Sequence, residues 1–390
     1  MANNSLNSNT KRKKKGTGTI IKKANGTYFG KIRIAGYETF YYSGKSEREV
    51  QKKLNEFKAM IDREEIIPRK QTVNTYIRNW LNTVKKPSIK AASYDRLERT
   101  FEKQIEPTRV GRSQLGTLSA MEIQQLLNSY TQTLSYSTIK KVYGLLNNCF
   151  RYAVAVRDIS YNPVDGVVLP KEENIVIPTK EIQIMSETDM QTLEASMKLR
   201  YSNGTVRYRY AAAYVLIANT GLRSGEALAL TWDNIDFSNQ IITISQNASR
   251  IKNRDSQTSA GSRQIITSTK TKSGVRRIPL NDKALSALCQ LKEQQELNHI
   301  QTNFVISTSN GNMVIQNSFY RIFQNMQKSL GMMPVTIHAL RHTFASNLIK
   351  AGVDIKIVSQ LLGHSSVKIT YDTYVHTDLS SAFLAVRKLK

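Results

Sequence analysis

The spacing of hydrophobic positions changes twice along the chain, and each change marks a predicted segment. In the first segment, up to about residue 70, short β-rich runs alternate with turn pairs, and Asn25-Gly26 is the strongest hairpin signal. From residue 46 the apolar positions follow a helical period, and Ser46 and Glu49 fit a capping box. One face of that helix carries Val50, Leu54, Phe57 and Ile61. The pattern predicts a three-stranded sheet backed by one helix.

The second segment, residues 71–175, has apolar positions at three- and four-residue spacing in four stretches, which is typical of amphipathic helices. The last stretch carries Val142, Leu146, Phe150 and Ala153 on one side. Beyond it, residues 162–178 contain three prolines, which disfavour a continuous helix. We therefore predict a helical domain that is followed by an extended linker.

The third segment, residues 179–390, mixes the two periods. A helix from about residue 208 to 219 should end at Thr220-Gly221. Strand-like runs follow at 240–246, 263–269 and 275–280. The KSG sequence at 272–274 predicts a hairpin between the last two of these runs. Helices continue to the end of the chain, with breaks at Gly331, Gly352 and Gly363.

The charge balance indicates the kind of partner. The 390 residues include 56 Lys and Arg against 30 Asp and Glu, a formal net charge of +26. Such an excess disfavours an acidic scaffold and suggests a polyanion, most often nucleic acid. Residues 1–70 carry 17 basic and 7 acidic side chains, with several tyrosines among the lysines. We interpret KRKKK at 11–15 as a basic arm and the first segment as a DNA contact.

Composition also excludes some classes of protein. The chain has no apolar run of about 18 residues, and its polar, basic N-terminus lacks the apolar stretch of a secretory signal. We therefore expect no membrane span and a cytoplasmic protein. Cys149 and Cys289 are far apart in sequence, which disfavours a disulfide framework and a cysteine-based zinc site.

Four of the five histidines lie late in the chain, among residues suited to phosphate chemistry. His338 and Arg341 are three apart on one helix face, and Arg223 lies at a turn with Glu226 three residues on. The other candidates are His364 in LLGHSS, Tyr371 and Tyr374 in VKITYDTYVH, and Lys270 and Lys272 in STKTKSGVRRIPL. Each motif alone has an ordinary structural explanation. Only their occurrence together, in this order, favours a functional site. A metal site is the rival explanation, but no acidic or cysteine ligands accompany the histidines.

If these residues converge, two arginines, a lysine and two imidazoles surround one phenol and form a pocket for a phosphodiester. Arg223 and Arg341 would each grip its non-bridging oxygens. A phenol with an ordinary pKa of about 10 is a poor nucleophile at neutral pH, and we predict that His338 and the arginines activate it. A lysine suits protonation of the leaving 5′ oxygen. We expect His342 and His376 to be structural or supporting, and we expect no metal.

The sequence resembles the tyrosine recombinases, the phage integrase family. The resemblance is most specific in TGLRSGEAL, HALRHTFAS, LLGHSS and TYDTYVH, which occur in that order. Carried over residue by residue, it implies that Arg223 is the first catalytic arginine and that Glu226 supports it. His338 and Arg341 are then the His-x-x-Arg pair, and His364 is the histidine of Leu-Gly-His.

The same resemblance implies that Tyr374 is the nucleophile. It is preferred over Tyr371 because the family pattern places the nucleophile two residues before a common histidine, here His376. Lys270 is implied as the catalytic lysine, and Lys272 is the alternative.

The resemblance also implies a multidomain fold, mainly α-helical with small β-sheets. Residues 1–70 would be a basic arm and an arm-type DNA-binding domain, built as a three-stranded sheet with one helix. Residues 71–175 would be a helical core-type DNA-binding domain, and residues 179–390 a mixed α/β catalytic domain.

The implied function is site-specific recombination that integrates and excises a mobile element through a 3′-phosphotyrosyl intermediate, without ATP, metal or another cofactor. The implied partners are double-stranded DNA attachment sites with core and arm sites, an excisionase and a host DNA-bending protein. The implied assembly is a homotetramer on DNA, and the implied location is the bacterial nucleoid. Two alternatives stay open: a catalytically inert DNA-binding regulator on the same scaffold, and a type IB topoisomerase.

Overall fold

The computed structural model of the chain describes residues 18–34, 39–62, 71–178, 182–254, 261–268 and 274–374. The chain forms two compact units, Met1–Thr179 and Lys180–Lys390. The predicted basic arm at 11–15 lies outside the described residues. Within the described part of the chain, no helix is both long and apolar enough to cross a membrane.

The first unit contains a small antiparallel sheet with the strand order β1-β2-β3. Its strands are β1 (Thr19–Lys22), β2 (Tyr28–Ile32) and β3 (Phe40–Gly44). The predicted turn joins the first two strands, and Gly26 there has a φ of +80°, which glycine adopts without strain. Helix α1 (Glu47–Asp62) packs on the sheet and buries Val50, Leu54 and Ile61. The predicted three-stranded sheet with one helix is confirmed.

A helical bundle follows in the first unit. Its helices are α2 (Val73–Trp80), α3 (Lys86–Ser88), α4 (Ala91–Gln104), α5 (Arg109–Arg112), α6 (Ala120–Ser129) and α7 (Tyr136–Ala155). A π-helical turn over Leu81–Lys85 joins α2 to α3. All four predicted helical stretches are present. The residues predicted for the core side of α7 are fully buried, because one apolar stripe of the helix faces the bundle.

Residues 162–178 differ from the predicted linker. Their one helical element is the short 3₁₀ turn Glu172–Asn174, and the prolines favour the absence of a longer helix there. However, Val164 is buried, and Val168 exchanges two backbone hydrogen bonds with the side chain of Gln124, at 2.8 and 2.9 Å. Because Val164 and Val167 are buried in the core of the bundle, the first part of this stretch belongs to the helical bundle and is not a free linker, whereas Val176 and Ile177 near its end are exposed.

The second unit is built around α9 (Ala211–Thr220), whose residues are nearly all buried because the helix is apolar on every side. Around it lie α8 (Glu187–Ser196), α10 (Ser224–Leu228), α11 (Asp282–Leu297), α12 (Gln316–Ser329), α13 (Ile337–Lys350), α14 (Ile355–Leu362) and α15 (Val367–Tyr374). Helices α12, α13 and α14 each end just before a predicted glycine break.

Two small antiparallel sheets complete the second unit. One has the order β4 (Ile235–Asp236), β5 (Ile241–Ile244), β8 (Arg276–Pro279), and the other pairs β6 (Gln246–Lys252) with β7 (Ser262–Ser268). The predicted hairpin between β7 and β8 is therefore wrong. Strand β8 pairs with β5 instead, where Ile278 lies opposite Ile242 and both are buried. Burial of that pair decides the partner, and the polar strand β6 carried no pattern that predicted it.

Candidate active site

The turn between α9 and α10 places Arg223 beside other charged groups. Gly221 ends α9 in the left-handed conformation, with a φ of +65°, and Arg223 immediately precedes α10. Nη1 of Arg223 donates to Oε1 of Glu226 at 2.7 Å, and Nη2 donates to the carbonyl of Gly363 at 3.2 Å. The side chain keeps 38% of its surface exposed. Arg223 is therefore held in place and still open to a ligand.

Glu226 is also held by Arg276, a residue that the sequence did not indicate. Arg276 lies on β8 and donates from Nη1 and Nη2 to the two carboxylate oxygens of Glu226, at 3.1 and 2.8 Å. Its Nε donates to the carbonyl of Leu361 at 2.6 Å. Burial raises the pKa of Glu226, but the hydrogen bonds and charge of Arg276, together with the charge of Arg223, outweigh it and hold the pKa below its usual value. Glu226 is thus ionised and anchors both arginines.

Arg341, on α13, is more deeply buried than these groups, with 1% of its surface exposed. Nη1 donates to the carbonyl of Gly221 at 2.8 Å, and Nη2 donates to the carbonyl of Leu362 at 2.6 Å. Both carbonyls lie at helix C-termini, where the negative end of the helix dipole attracts a cation. Burial, and then the charge of Arg223, lowers the pKa of Arg341 to about 9, so it stays charged at neutral pH.

Two partly buried histidines complete the charged region: His364 is half-buried, and His338 keeps more of its surface exposed. Burial is the main cause that lowers the pKa of His338 to about 4, and the neighbouring His342 ring and the arginine charges add to it. Burial and then the charge of Arg341 lower the pKa of His364 to about 4 as well. Nδ1 of His364 lies 2.8 Å from Oγ1 of Thr370, which connects the end of α14 to α15. Both imidazoles are therefore neutral near pH 7 and offer N–H donors without added charge.

Tyr374, at the end of α15, directs its hydroxyl towards α13. Its Oη lies 2.7 Å from Nδ1 of His342, and the two ring centroids are 5.5 Å apart. Burial raises the pKa of Tyr374, although the charges of Arg341 and Arg223 act in the opposite direction. Tyr371 is 51% exposed. Of the two candidate tyrosines, the structure brings Tyr374 to the arginines.

Five of the six predicted site residues meet in one region. Arg223 and Arg341 donate to the neighbouring carbonyls of Gly363 and Leu362, so their guanidinium groups lie on the same side of the unit. The arginine charges also reach His338, His364 and Tyr374. Outside the described residues lie Lys270, its alternative Lys272, and His376.

Two contacts of this region were not expected from the sequence. Arg276 and Ile278 are both buried while Arg277 between them is exposed, so the strand period of two in VRRIPL carried a signal for an inward arginine. His342 follows His338 by about one helical turn, and their rings lie 4.5 Å apart, edge to face. Helical spacing explains that contact, but nothing in the sequence marked His342 as the neighbour of Tyr374.

The region carries an excess of positive charge. Of the three guanidinium groups, those of Arg223 and Arg276 donate to the carboxylate of Glu226. The described donors that remain, including both Nη atoms of Arg341, bond to main-chain carbonyls, mainly those of Gly221, Leu361, Leu362 and Gly363. Planar guanidinium groups match the oxygens of carboxylates and phosphates. A rigid, partly open cluster of this kind is suited to an anion with several oxygen atoms, such as a phosphodiester.

Solved structures define the class of protein through the fold. The Tn1549 transposon integrase, solved in complex with a circular intermediate DNA, matches with a TM-score of 0.66 and 23% identity, over 82% of this chain and 100% of that one. A lambda integrase tetramer bound to a Holliday junction matches with a TM-score of 0.56 and 16% identity, over 94% and 97% of the two chains. At these identities the likeness is one of fold, and the fold is that of the multidomain tyrosine recombinases.

The chain belongs to the phage integrase family, whose model matches residues 183–380. The model of the phage integrase central domain matches residues 73–167. A tyrosine recombinase XerC-like protein of Caldanaerobacter subterraneus subsp. tengcongensis is 27% identical, over 78% of this chain and 79% of its own. The integrase of Staphylococcus phage L54a is 25% identical, over 78% and 88%, and the Tn916 transposase of Enterococcus faecalis is 24% identical, over 65% and 62%. The protein is a site-specific recombinase.

Proposed function

We propose that the protein integrates and excises a mobile element, and that it cuts and rejoins DNA through a 3′-phosphotyrosyl bond to Tyr374. The observation that carries the proposal is the position of the Tyr374 hydroxyl, 2.7 Å from Nδ1 of His342 on α13, the helix that also carries His338 and Arg341. A phage integrase and a transposon transposase among the relatives support the mobile element as the substrate.

The scissile phosphate binds where the arginines converge. Arg223 and Arg341 hold its non-bridging oxygens and neutralise the charge that grows as the phosphorane forms. Removing one positioned donor of this kind typically costs about 3–4 kcal/mol of transition-state stabilisation. His338 and His364 are neutral and donate further hydrogen bonds, while Glu226 keeps Arg223 in place.

Cleavage and rejoining exchange one phosphoester bond for another. Oη of Tyr374 bonds to the phosphorus, the bond to the 5′ oxygen breaks, and Lys270, or Lys272 in its place, protonates that oxygen. The 5′ hydroxyl of the partner strand then attacks the phosphotyrosyl bond and releases Tyr374. Because the covalent link conserves the bond energy, the proposal includes neither ATP nor a metal cofactor.

The proposed assembly is a homotetramer on two duplex attachment sites. Residues 1–70 bind arm sites, residues 71–175 bind the core site, and residues 179–390 carry out the strand exchange on it. The net charge of +26 supports a DNA partner, and a lambda integrase tetramer of the same fold is bound to a Holliday junction. An excisionase and a host DNA-bending protein are the further partners that we propose, and the nucleoid is the proposed place of action.

The substitution Tyr374→Phe tests the nucleophile. The substrate is a nicked duplex carrying the attachment site that flanks the gene, because the nick lets a short fragment leave and traps the covalent adduct. We expect Tyr374→Phe to bind this DNA with unchanged affinity and to form no adduct in a denaturing gel. The matched control is Tyr371→Phe, which removes an exposed hydroxyl three residues away and should form the adduct at the wild-type rate. An adduct on Tyr374→Phe, or its loss in Tyr371→Phe alone, contradicts the assignment.

A further inference from the structure

We infer that His342 is a further catalytic residue, which takes the proton from Oη of Tyr374 as the phosphotyrosyl bond forms and returns it when that bond breaks and the DNA strand is resealed. The inference rests on the proposed function and adds to it the destination of the nucleophile's proton. Sequence motifs pointed to His338 for this role, whereas the contact with the tyrosine belongs to His342.

Geometry separates the two histidines. Nδ1 of His342 lies 2.7 Å from Oη of Tyr374, within the reach that a general base needs. His338 lies one turn earlier on α13 and packs edge to face against the His342 ring, with the ring centroids 4.5 Å apart. This packing limits rotation of the His342 ring and keeps Nδ1 directed at the tyrosine.

The protonation states suit a transfer from phenol to imidazole. Burial, and then the charge of Arg341, lowers the pKa of His342, so its ring is neutral near pH 7. Burial raises the pKa of Tyr374, so its hydroxyl keeps its proton. A phenol O–H therefore donates to Nδ1, and the neutral ring carries its own proton on Nε2. This hydrogen bond is the starting arrangement for general base catalysis.

The charges around His342 explain why the transfer is reversible. On its own helix it neighbours His338 and Arg341, and across from it lies Tyr374 of α15, which also feels the charge of Arg223. A protonated His342 would be repelled by the arginines in the free protein. The negative charge of the phosphorane offsets that repulsion while the bond from phosphorus to Oη forms. The proton returns to Oη when that bond breaks and the DNA strand is resealed.

The bonds and protons balance over the cycle. In cleavage the bond from phosphorus to Oη forms and the bond from phosphorus to the 5′ oxygen breaks. The tyrosine proton moves to Nδ1 of His342, and the 5′ oxygen takes a proton from the proposed lysine. In rejoining, the incoming 5′ hydroxyl gives its proton to that lysine, the bond to Oη breaks, and His342 reprotonates the tyrosine.

The test is His342→Asn, measured by single-turnover adduct formation on the nicked duplex from about pH 6 to about pH 9. An asparagine amide can still accept a hydrogen bond from Tyr374, but it cannot bind the proton. We expect DNA affinity to be unchanged and cleavage near pH 7 to fall by roughly 10²–10⁴-fold, the usual contribution of a general base. The defect should shrink as the pH rises, because hydroxide then takes the proton from the phenol.

The matched control is His299→Asn. His299 is an exposed histidine of the same unit, just beyond α11, with a φ of +51° that asparagine tolerates. We expect this variant to follow the wild-type pH profile. His342→Gln, whose amide is one methylene longer, is a second variant that is judged by the same criteria if His342→Asn fails to bind DNA.

Two results overturn the inference: a His342 variant that cleaves at the wild-type rate near pH 7, or a defect that is equally large at every pH, which would indicate positioning alone. Failure of the proposed function looks different, because the wild-type protein itself would then form no adduct on Tyr374.

Discussion

Arg276 offers the sharpest test of how the charged cluster is held together. It donates two hydrogen bonds to the carboxylate of Glu226 and a third to the carbonyl of Leu361, and its side chain is 6% exposed. The substitution Arg276→Met keeps most of the buried volume and removes the charge. Glu226 then stays buried with Arg223 as its remaining charged partner, and Arg223 is itself partly open to solvent.

The expected loss of stability is large. Removing one member of a buried ion pair typically costs about 3–5 kcal/mol, because the other charge is left without compensation. We expect a value in this range for the free energy of unfolding of the second unit at neutral pH. The pKa of Glu226 should rise, because burial raises it and the hydrogen bonds and charge of Arg276 are what outweigh that effect.

This shift also predicts how the loss depends on pH. In the wild-type protein the folded-state pKa of Glu226 is lowered, so its contribution to stability is present above the unfolded pKa of about 4.3 and is lost as the pH falls through the folded value. In Arg276→Met the ionised carboxyl is no longer favoured by the fold. The difference between the two proteins should therefore be largest at neutral pH and should decrease as the pH is lowered towards and below about 4.3.

Tryptophan fluorescence gives a measurement that is specific to this unit. The chain has two tryptophans, and Trp80 belongs to the helical bundle while Trp232 packs on the core of the second unit. In a Trp80→Phe background, urea unfolding followed by fluorescence reports the surroundings of Trp232. The matched control is Arg277→Met, an exposed arginine next in the chain, which should change stability by no more than about 0.5 kcal/mol.

The reasoning about Glu226 is refuted if Arg276→Met costs no more than Arg277→Met. It is also refuted if the cost is the same at acidic and neutral pH, because the loss would then come from packing and not from an uncompensated carboxylate.

Two further predictions concern Gly221 and Arg223. In Gly221→Ala the new Cβ would lie 2.5 Å from Cδ1 of Phe344, and residue 221 has a φ of +65°. We therefore expect the free energy of unfolding to fall by about 1–3 kcal/mol from backbone strain alone, measured by the same fluorescence assay. An unchanged free energy of unfolding would show that the turn relaxes freely. Arg223→Lys removes the pair of donors to Glu226 and Gly363 from a partly exposed side chain. We expect it to fold and bind DNA but to form the adduct roughly 10²–10³-fold more slowly in the gel assay, and wild-type cleavage would exclude Arg223 from the phosphate site.

Local patterns predicted the helices well. The apolar stripe of α7 and the glycine breaks after α12, α13 and α14 depend on residues that are near in sequence, so a helical period and a C-terminal glycine reveal them. Strand pairing depends on more distant partners. Strand β8 joins β5 because Ile278 and Ile242 bury each other, and no turn residue beside β7 carries that information.

The residues of the candidate active site were partly predictable, because local sequence patterns reveal some of them and not others. Family motifs marked Arg223, His338, Arg341, His364 and Tyr374 because each lies in a recognisable local sequence. Arg276 and His342 act through contacts with residues 50 and 32 positions away, to Glu226 and Tyr374 respectively. Such contacts exist only after the second unit has folded.

The arrangement of the carbonyl acceptors explains how so much positive charge is tolerated. The sequence predicts that TGLR and LLGH each end a helix at a glycine, and both do. It does not predict that Arg341 donates to the carbonyls at both helix C-termini, those of Gly221 and Leu362, which are 120 and 21 residues away in the sequence. Because these acceptors are partial negative charges at helix C-termini and not carboxylates, they hold the guanidinium groups without neutralising them. Among the described residues, Glu226 is the carboxylate that pairs with Arg223 and Arg276, so the cluster keeps a positive charge that suits the proposed phosphate group.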